Sequence, residues 1–347
     1  MAALETPPDP VSRVRGLPDP CSLPVTSPVT PLGYSGTDMK LTTIWDDRYS
    51  VDAAHTNSTR KQAHVVRMAL DEGLLELHPV AFEAGLAWAD IARVHAPAYV
   101  DAVRTGQPRA LAESQGFKWS SAFAESVAPI WGGHFAACRL ALDARVVFHP
   151  VSGAHHARRE RGGGFCTFNF LAGASRRLLD EEVVRRVLVV DLDAHQGDGT
   201  HALIGDDPRA GLFDIAGSNW IGEFDTDRLF YKVARGPENY RAHLGQLPAM
   251  LDRFKPELVQ YQAGMDCHES DPVGGIDGID EAFLLARDRF VIREVVARRI
   301  PVVINLAGGY EGFSERLHVE TARIALDLIR ENGPSESDRR YAREFPL

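Results

Sequence analysis

The densest chemistry in the chain lies at residues 186–200, RVLVVDLDAHQGDGT, where an apolar run leads into Asp191, Asp193, His195 and Asp198. Side chains alternate along an extended segment, so Asp191, Asp193 and His195 share one side. A carboxylate and an imidazole two residues apart can both reach one metal ion. An oxygen and nitrogen donor set suits Zn²⁺, with Fe²⁺ and Co²⁺ as alternatives. A second apolar run, 258–263, ends in Gly264, Met265 and Asp266. Asp266 would be the third protein ligand, leaving one coordination position open for water, as a catalytic zinc site requires. Alone, Asp266 reads as a plausible surface acid, and a loop of solvated acids is the plainer account of either motif alone. Two apolar runs that each end in acids favour the metal. His268 reads as a loop residue rather than a ligand.

Two further segments supply proton-transfer groups. His155 and His156 stand in tandem after an apolar run, and imidazoles titrate near neutral pH. Asp191 and Asp198 are spare carboxylates that can orient them. Gly162, Gly163 and Gly164 let the backbone approach a ligand closely, and Phe165 is expected to open a helix. A fourth apolar run, 301–306, ends in Ala307-Gly308-Gly309-Tyr310. A phenol there can donate a hydrogen bond to a developing oxyanion.

These groups need a scaffold that gathers several strand ends. Strand-like runs at 41–45, 146–149, 187–191, 212–216, 258–263 and 301–306 alternate with helical patterns at 60–72, 122–143, 165–179, 238–254, 280–299 and 313–331. Nearly continuous apolar strands fit a sheet covered on both faces. The alternation predicts an α/β domain, one open, mostly parallel sheet with helices on both faces. Such sheets place ligands beyond the carboxyl ends of their strands, where these polar residues fall. Residues 39–335 are read as one domain, 1–38 as a Pro-rich disordered extension and 336–347 as a tail.

Composition excludes other classes. The 347 residues carry a formal net charge of -10, which disfavours a broad nucleic-acid face. No stretch approaches the roughly 18 apolar residues of a membrane helix, and the N-terminus lacks the apolar core of a secretory signal. Four widely spaced cysteines, Cys21, Cys138, Cys166 and Cys267, form no CxxC pair. A cytoplasmic, reducing location is expected, and no disulfide is needed. Arginine far outnumbers lysine, which we read as the codon bias of a GC-rich, bacterial genome.

In order along the chain, the HHA, GFC, DLDAHQGDG, AGMD and GGY motifs resemble the zinc-dependent histone deacetylase family, over about residues 45 to 330. The wording is closest to class IV and its bacterial relatives. Val94-His95-Ala96-Pro97-Ala98-Tyr99-Val100 is similar to the family's His-x-x-x-Tyr segment, and 55–60 to a degenerate form of its N-terminal motif. The resemblance implies the arginase/deacetylase fold and zinc held by Asp193, His195 and Asp266. It pairs His155 with Asp191 and His156 with Asp198, and makes Tyr310 the transition-state tyrosine. Phe165 would be one wall of the substrate tunnel and Gly164 a backbone contact, with Trp220 or Ile221 facing them. A structural K⁺ near Asp191, His195 and the following strand is also implied.

Two departures matter. Ala154 precedes the tandem histidines where many relatives carry a bulkier residue. Val273 follows Asp271-Pro272 where polyamine deacetylases of the family carry a glutamate, so a distant amine loses its reader at this substrate-binding position. The expected activity is hydrolysis of an acyl-lysine peptide or a small acylated amine, with no nucleic-acid or membrane partner and the oligomeric state left open. The alternatives are a ureohydrolase with two metals, which needs further aspartates, and a non-catalytic binder of acyl ligands.

Overall fold

The computed structural model describes residues 39–52, 57–79 and 84–332. The extension 1–38, the tail 336–347 and the first two residues of the 55–60 motif, His55 included, lie outside the described residues. The described strands are Leu41–Ile44 (β1), Leu75–His78 (β2), Val146–Phe148 (β3), Val187–Asp191 (β4), Ala210–Ala216 (β5), Phe224–Asp225 (β6), Leu229–Val233 (β7), Leu258–Gln262 (β8) and Val302–Asn305 (β9). They form one sheet in the order β2-β1-β3-β9-β8-β4-β5-β7-β6. Every pairing is parallel except the short β6 against β7. This is the open α/β sheet that the apolar runs predict, with β2, β6 and β7 added at its two edges.

Strand alternation divides the core. Val146, Phe148, Leu188, Val190, Val259, Tyr261, Val302 and Ile304 pack in one apolar cluster with residues of Lys61–Asp71 (α1), Glu281–Ala297 (α10) and Phe313–Asn332 (α11). Val147, Val187, Leu258 and Val303 point the other way, against Ser121–Ala144 (α5) and Phe170–Asp180 (α6). Both faces are thus buried, and each fully buried Val or Leu contributes about 1.5–3 kcal/mol. Asn169 caps α6, its Oδ1 accepting from Ala172 N at 2.9 Å, and Asp280 caps α10 through Phe283 N at 2.8 Å; each satisfies an N–H that the first turn leaves open.

Two expected helices need correction. Phe165 does not open a helix: its φ is 63°, Gly164 before it has φ 47°, and α6 begins at Phe170. The expected 238–254 helix is two, Pro237–Leu244 (α8) and Leu247–Phe254 (α9), because Pro248 has no N–H to continue the ladder. The remaining helices are Ala84–Val94 (α2), Pro97–Thr105 (α3), Arg109–Ala112 (α4) and Asp198–Ile204 (α7). No helix among the described residues is long and apolar enough to cross a membrane.

Chain order and sheet order diverge where the chemistry lies. The third and fourth strands of the chain are separated in the sheet by the ninth and eighth. The carboxyl ends of β3, β9, β8 and β4 therefore lie side by side, a switch point where open α/β sheets hold ligands.

Candidate metal centre and active site

The loops after these four strands deliver the chemistry. Asp193 and His195 follow β4, and Asp266 follows β8. One donor atom from each lies within 4.8 Å of the others. Asp193 and Asp266 are buried and His195 half-buried. His195 Nδ1 stands 3.1 Å from Asp193 Oδ1 and 3.1 Å from Asp266 Oδ2, while Nε2 faces the Val273 carbonyl at 3.2 Å. A proton on Nε2, donated to that carbonyl, leaves the Nδ1 lone pair for a cation. The donor chemistry fits a divalent metal: two buried carboxylates and one imidazole converge on one point. Burial and the neighbouring Asp193 push Asp266 up to about 7. Burial works against the charged His195, but hydrogen bonds to both carboxylates outweigh it and raise the ring to about 11. Gly308 closes this corner. Its N–H donates to Asp193 Oδ2 at 2.7 Å, and a Cβ there would sit 2.3 Å from Asp266 Oδ2.

The tandem histidines lie beside the candidate metal donors, ring centres 3.9 Å apart and planes tilted by 44°. His155 Nδ1 meets Asp191 Oδ2 at 2.9 Å, and His156 Nδ1 meets Asp198 Oδ1 at 2.7 Å. Arg158 shares Asp198 through Nη2 at 2.6 Å. The environments pull the two rings apart. Burial disfavours charge on His155, yet Asp191 and Asp193 overcome it and raise the ring to about 10. Burial and the adjacent His155 charge lower His156. Environments that separate two like groups assign them different roles. The separation favours a neutral His156 beside a charged His155.

Tyr310 and Phe165 line the same cavity as His155 and Asp193, their ring centres 5.7 Å apart. Burial, then the Asp193 and Asp266 charges, push the Tyr310 phenol well above its ordinary value, so it stays a donor. Its N–H donates to Asp271 Oδ2 at 2.9 Å. Gly164 is required where it stands: beyond its positive φ, a Cβ would lie 2.2 Å from His156 Cδ2. Of the two candidates for the facing wall, Trp220 meets the site, its ring 5.0 Å from His156 and 5.4 Å from His195. Ile221 packs against an apolar cluster instead. Trp220 is 55% and Val273 43% exposed, so the mouth has an apolar rim. His268 stacks on Phe313 at 4.4 Å and bonds Ser270, away from the cluster.

Sequence reasoning missed the braces behind these loops. Arg287 on α10 is buried and donates through Nη1 to Leu192 O at 3.0 Å and Gly264 O at 2.7 Å, each within two residues of an aspartate ligand. Lys61 on α1, wholly buried, donates to Ala307 O at 2.6 Å and Gly309 O at 3.1 Å, gripping the turn that carries Tyr310. Burial pulls Lys61 down to about 8 against the opposing pull of Asp266 and Asp193. His95 and Tyr99, of the segment the sequence did single out, brace the glycine-rich loop: His95 Nδ1 meets Arg158 O at 2.8 Å, and Tyr99 OH donates to Thr167 O at 2.6 Å. In sequence, Lys61 and Arg287 look like ordinary charges on amphipathic helices. The only signal for either was its place on a helix packed under the sheet.

Residues 55–219 and 232–323 match the model of the histone deacetylase domain family. The chain belongs to that family. It is 33% identical over 229 residues to an uncharacterized protein of Picosynechococcus, covering 65% of this chain and 75% of that one. It is 28% identical over 298 residues to histone deacetylase 2 of Arabidopsis thaliana, 80% of this chain and 76% of the relative. Against the polyamine deacetylase HDAC10 of Rattus norvegicus it is 30% identical over 181 residues, covering 46% of this chain and 30% of that protein.

Proposed function

We propose that the chain is a zinc-dependent amidohydrolase that removes the acyl group from an acyl-lysine or a small acylated amine. The observation that carries this reading is the split histidine pair beside three convergent metal donors, in a family of deacetylases. Asp193, His195 and Asp266 would hold the metal, which when bound polarises the scissile carbonyl and lowers the pKa of water. Zinc is favoured over Fe²⁺ and Co²⁺ by the family. The gathering of the donors around a single point supports one metal rather than the pair that ureohydrolases use.

The side chains divide the remaining work. The acyl amide enters between Phe165 and Trp220. His156, neutral and held by Asp198, takes the proton of the attacking water and passes it to the leaving amine. His155, charged and held by Asp191, stabilises the negative charge that develops beside it. The Tyr310 hydroxyl donates to the tetrahedral oxyanion. Lys61 keeps the Tyr310 turn in place. Asp191 and Asp214 stand in register on adjacent strands, and buried Asp214 Oδ1 has no partner. That pair suits the structural K⁺ that the family resemblance implies. A cytoplasmic setting agrees with Cys138, Cys166 and Cys267 as buried free thiols.

The reading is tested by amine release from acetyl-lysine peptides, long-chain acyl-lysine peptides and acetylated polyamines, with and without a hydroxamate chelator. Chelator-sensitive release is expected, with the polyamines disfavoured because Val273 offers no charge at the rim. Absence of release from every substrate by zinc-loaded protein would overturn it and favour the non-catalytic binder.

A further inference from the structure

The cavity that exposes Tyr310, His155 and Asp193 also reaches Val127, Ile130 and Trp131 of α5, residues that are themselves buried or half-buried. It therefore extends past the residues assigned to the reaction and under α5, where the acyl group of a substrate entering between Phe165 and Trp220 would lie. Its lining mixes apolar side chains with polar ones, and among the polar ones Gln262 stands apart. Gln262, the last residue of β8, is wholly buried and lines the cavity, and neither of its carboxamide atoms has a hydrogen-bond partner. Thr59 Oγ1 and Ser152 Oγ, on the same cavity, are also buried and unpartnered. Gln262 stands in register with Asp191 on one side and Asn305 on the other, one strand from the carboxylate that holds His155. A buried carboxamide with no partner is costly, and native structures rarely leave one unless a ligand or water completes it.

The lining also restricts the charge of an occupant. Among the described residues no arginine or lysine lines this cavity, whereas Asp193 does. The one charged ring on the described lining, His155, is already held by Asp191, so a carboxylate carried on the acyl chain would be buried without an unpaired cation to meet it. A neutral group that both donates and accepts matches what Gln262, Thr59 and Ser152 offer.

We propose that the chamber receives a hydroxyacyl group, and that Gln262 is the residue that binds its hydroxyl. This rests on the amidohydrolase reading above and adds the class of acyl group to it. A site built to hydrogen-bond a substrate hydroxyl discriminates strongly against the analogue lacking it, because its own buried polar groups are then left unpaired.

The test compares matched lysine peptides, one carrying a hydroxyacyl group and its twin a methyl in place of the hydroxyl, with the substituent at the second, third or fourth acyl carbon. The expected result is a preference of about tenfold or more in kcat/KM for the hydroxyacyl member of at least one pair. That ratio should fall to about one in Gln262→Leu and in the less disruptive Gln262→Met. Equal or better turnover of the alkyl member in every pair would overturn the proposal, leaving water as the partner of Gln262. So would a hydroxyl preference that survives both variants. If neither variant folds, the wild-type ratios decide alone. Failure of zinc-loaded protein to release amine from any acyl peptide would instead overturn the amidohydrolase reading.

Discussion

Two histidine pairs among the described residues have surroundings that give them opposite chemistry. His155 and His156 sit beside carboxylates at the strand ends, and one ring is raised while the other is lowered. His134 on α5 and His149 just after β3 are both buried, their Nδ1 atoms 3.1 Å apart, with amides and a phenol around them. His134 Nε2 meets Gln260 Oε1 at 2.6 Å, and His149 approaches Asn305 Oδ1 and Tyr49 OH, each at 3.4 Å. Burial lowers His134 to about 4, and burial with the facing ring holds His149 well below the ordinary histidine value. An imidazole pair thus becomes a proton-transfer device only where carboxylates hold one ring charged. With amide partners it is a neutral strut of the core.

The largest effect should follow from removing what the first pair works beside. Asp193→Ala is expected to abolish both zinc binding and amine release, read by elemental analysis and turnover. Next, Tyr310→Phe should lower kcat by about 10²–10³ with fold and zinc content kept, since one oxyanion donor is lost. Near-full turnover in that variant would remove Tyr310 from the mechanism.

Asp198→Asn makes the catalytic pair more like the buried one. An amide then faces His156 Nδ1, and kcat should fall about 10–100-fold. In the wild type the acid limb of the kcat profile should lie below the ordinary histidine value of about 6.5, because His156 must be neutral to accept a proton. An acid limb well above that value would reverse the assignment of the base.

The smallest effect concerns the buried pair and appears in stability rather than rate. The unfolded chain binds protons at these histidines from about pH 6.5 downward, whereas folded His134 waits until about 4. Stability is therefore unaffected by this residue above that window and falls as pH drops through it. For His134 the loss between pH 7.5 and 5 is on the order of 2 kcal/mol. Urea midpoints at the two pH values should show a shallower fall in His134→Gln than in the wild type. An unchanged slope would mean that His134 does not resist protonation in the fold.

How far each region could be read from sequence follows from the same physics. β4 and β9 are apolar up to their last residue because both faces of the sheet are covered, β8 breaks that pattern at Gln260 and Gln262, and the loops after β4 and β8 carry the candidate metal ligands. β2, with the sequence LELH, sits at a sheet edge and is too short and too mixed to stand out. Phe165 looked like a helix residue because its neighbours are apolar, but two positive φ values bend the chain there and turn it toward Tyr310. Lys61 and Gln262 left no mark in the sequence. A buried ammonium on carbonyls and a buried unpartnered carboxamide are defined by their neighbours, which only the folded chain brings together.

The metal centre is tested most directly by titrating zinc into metal-stripped protein and following amine release from an acyl-lysine peptide. One equivalent should restore turnover, and Asp193→Ala should show neither binding nor activity. Full activity of the stripped protein, or undiminished zinc binding by Asp193→Ala, would contradict the account.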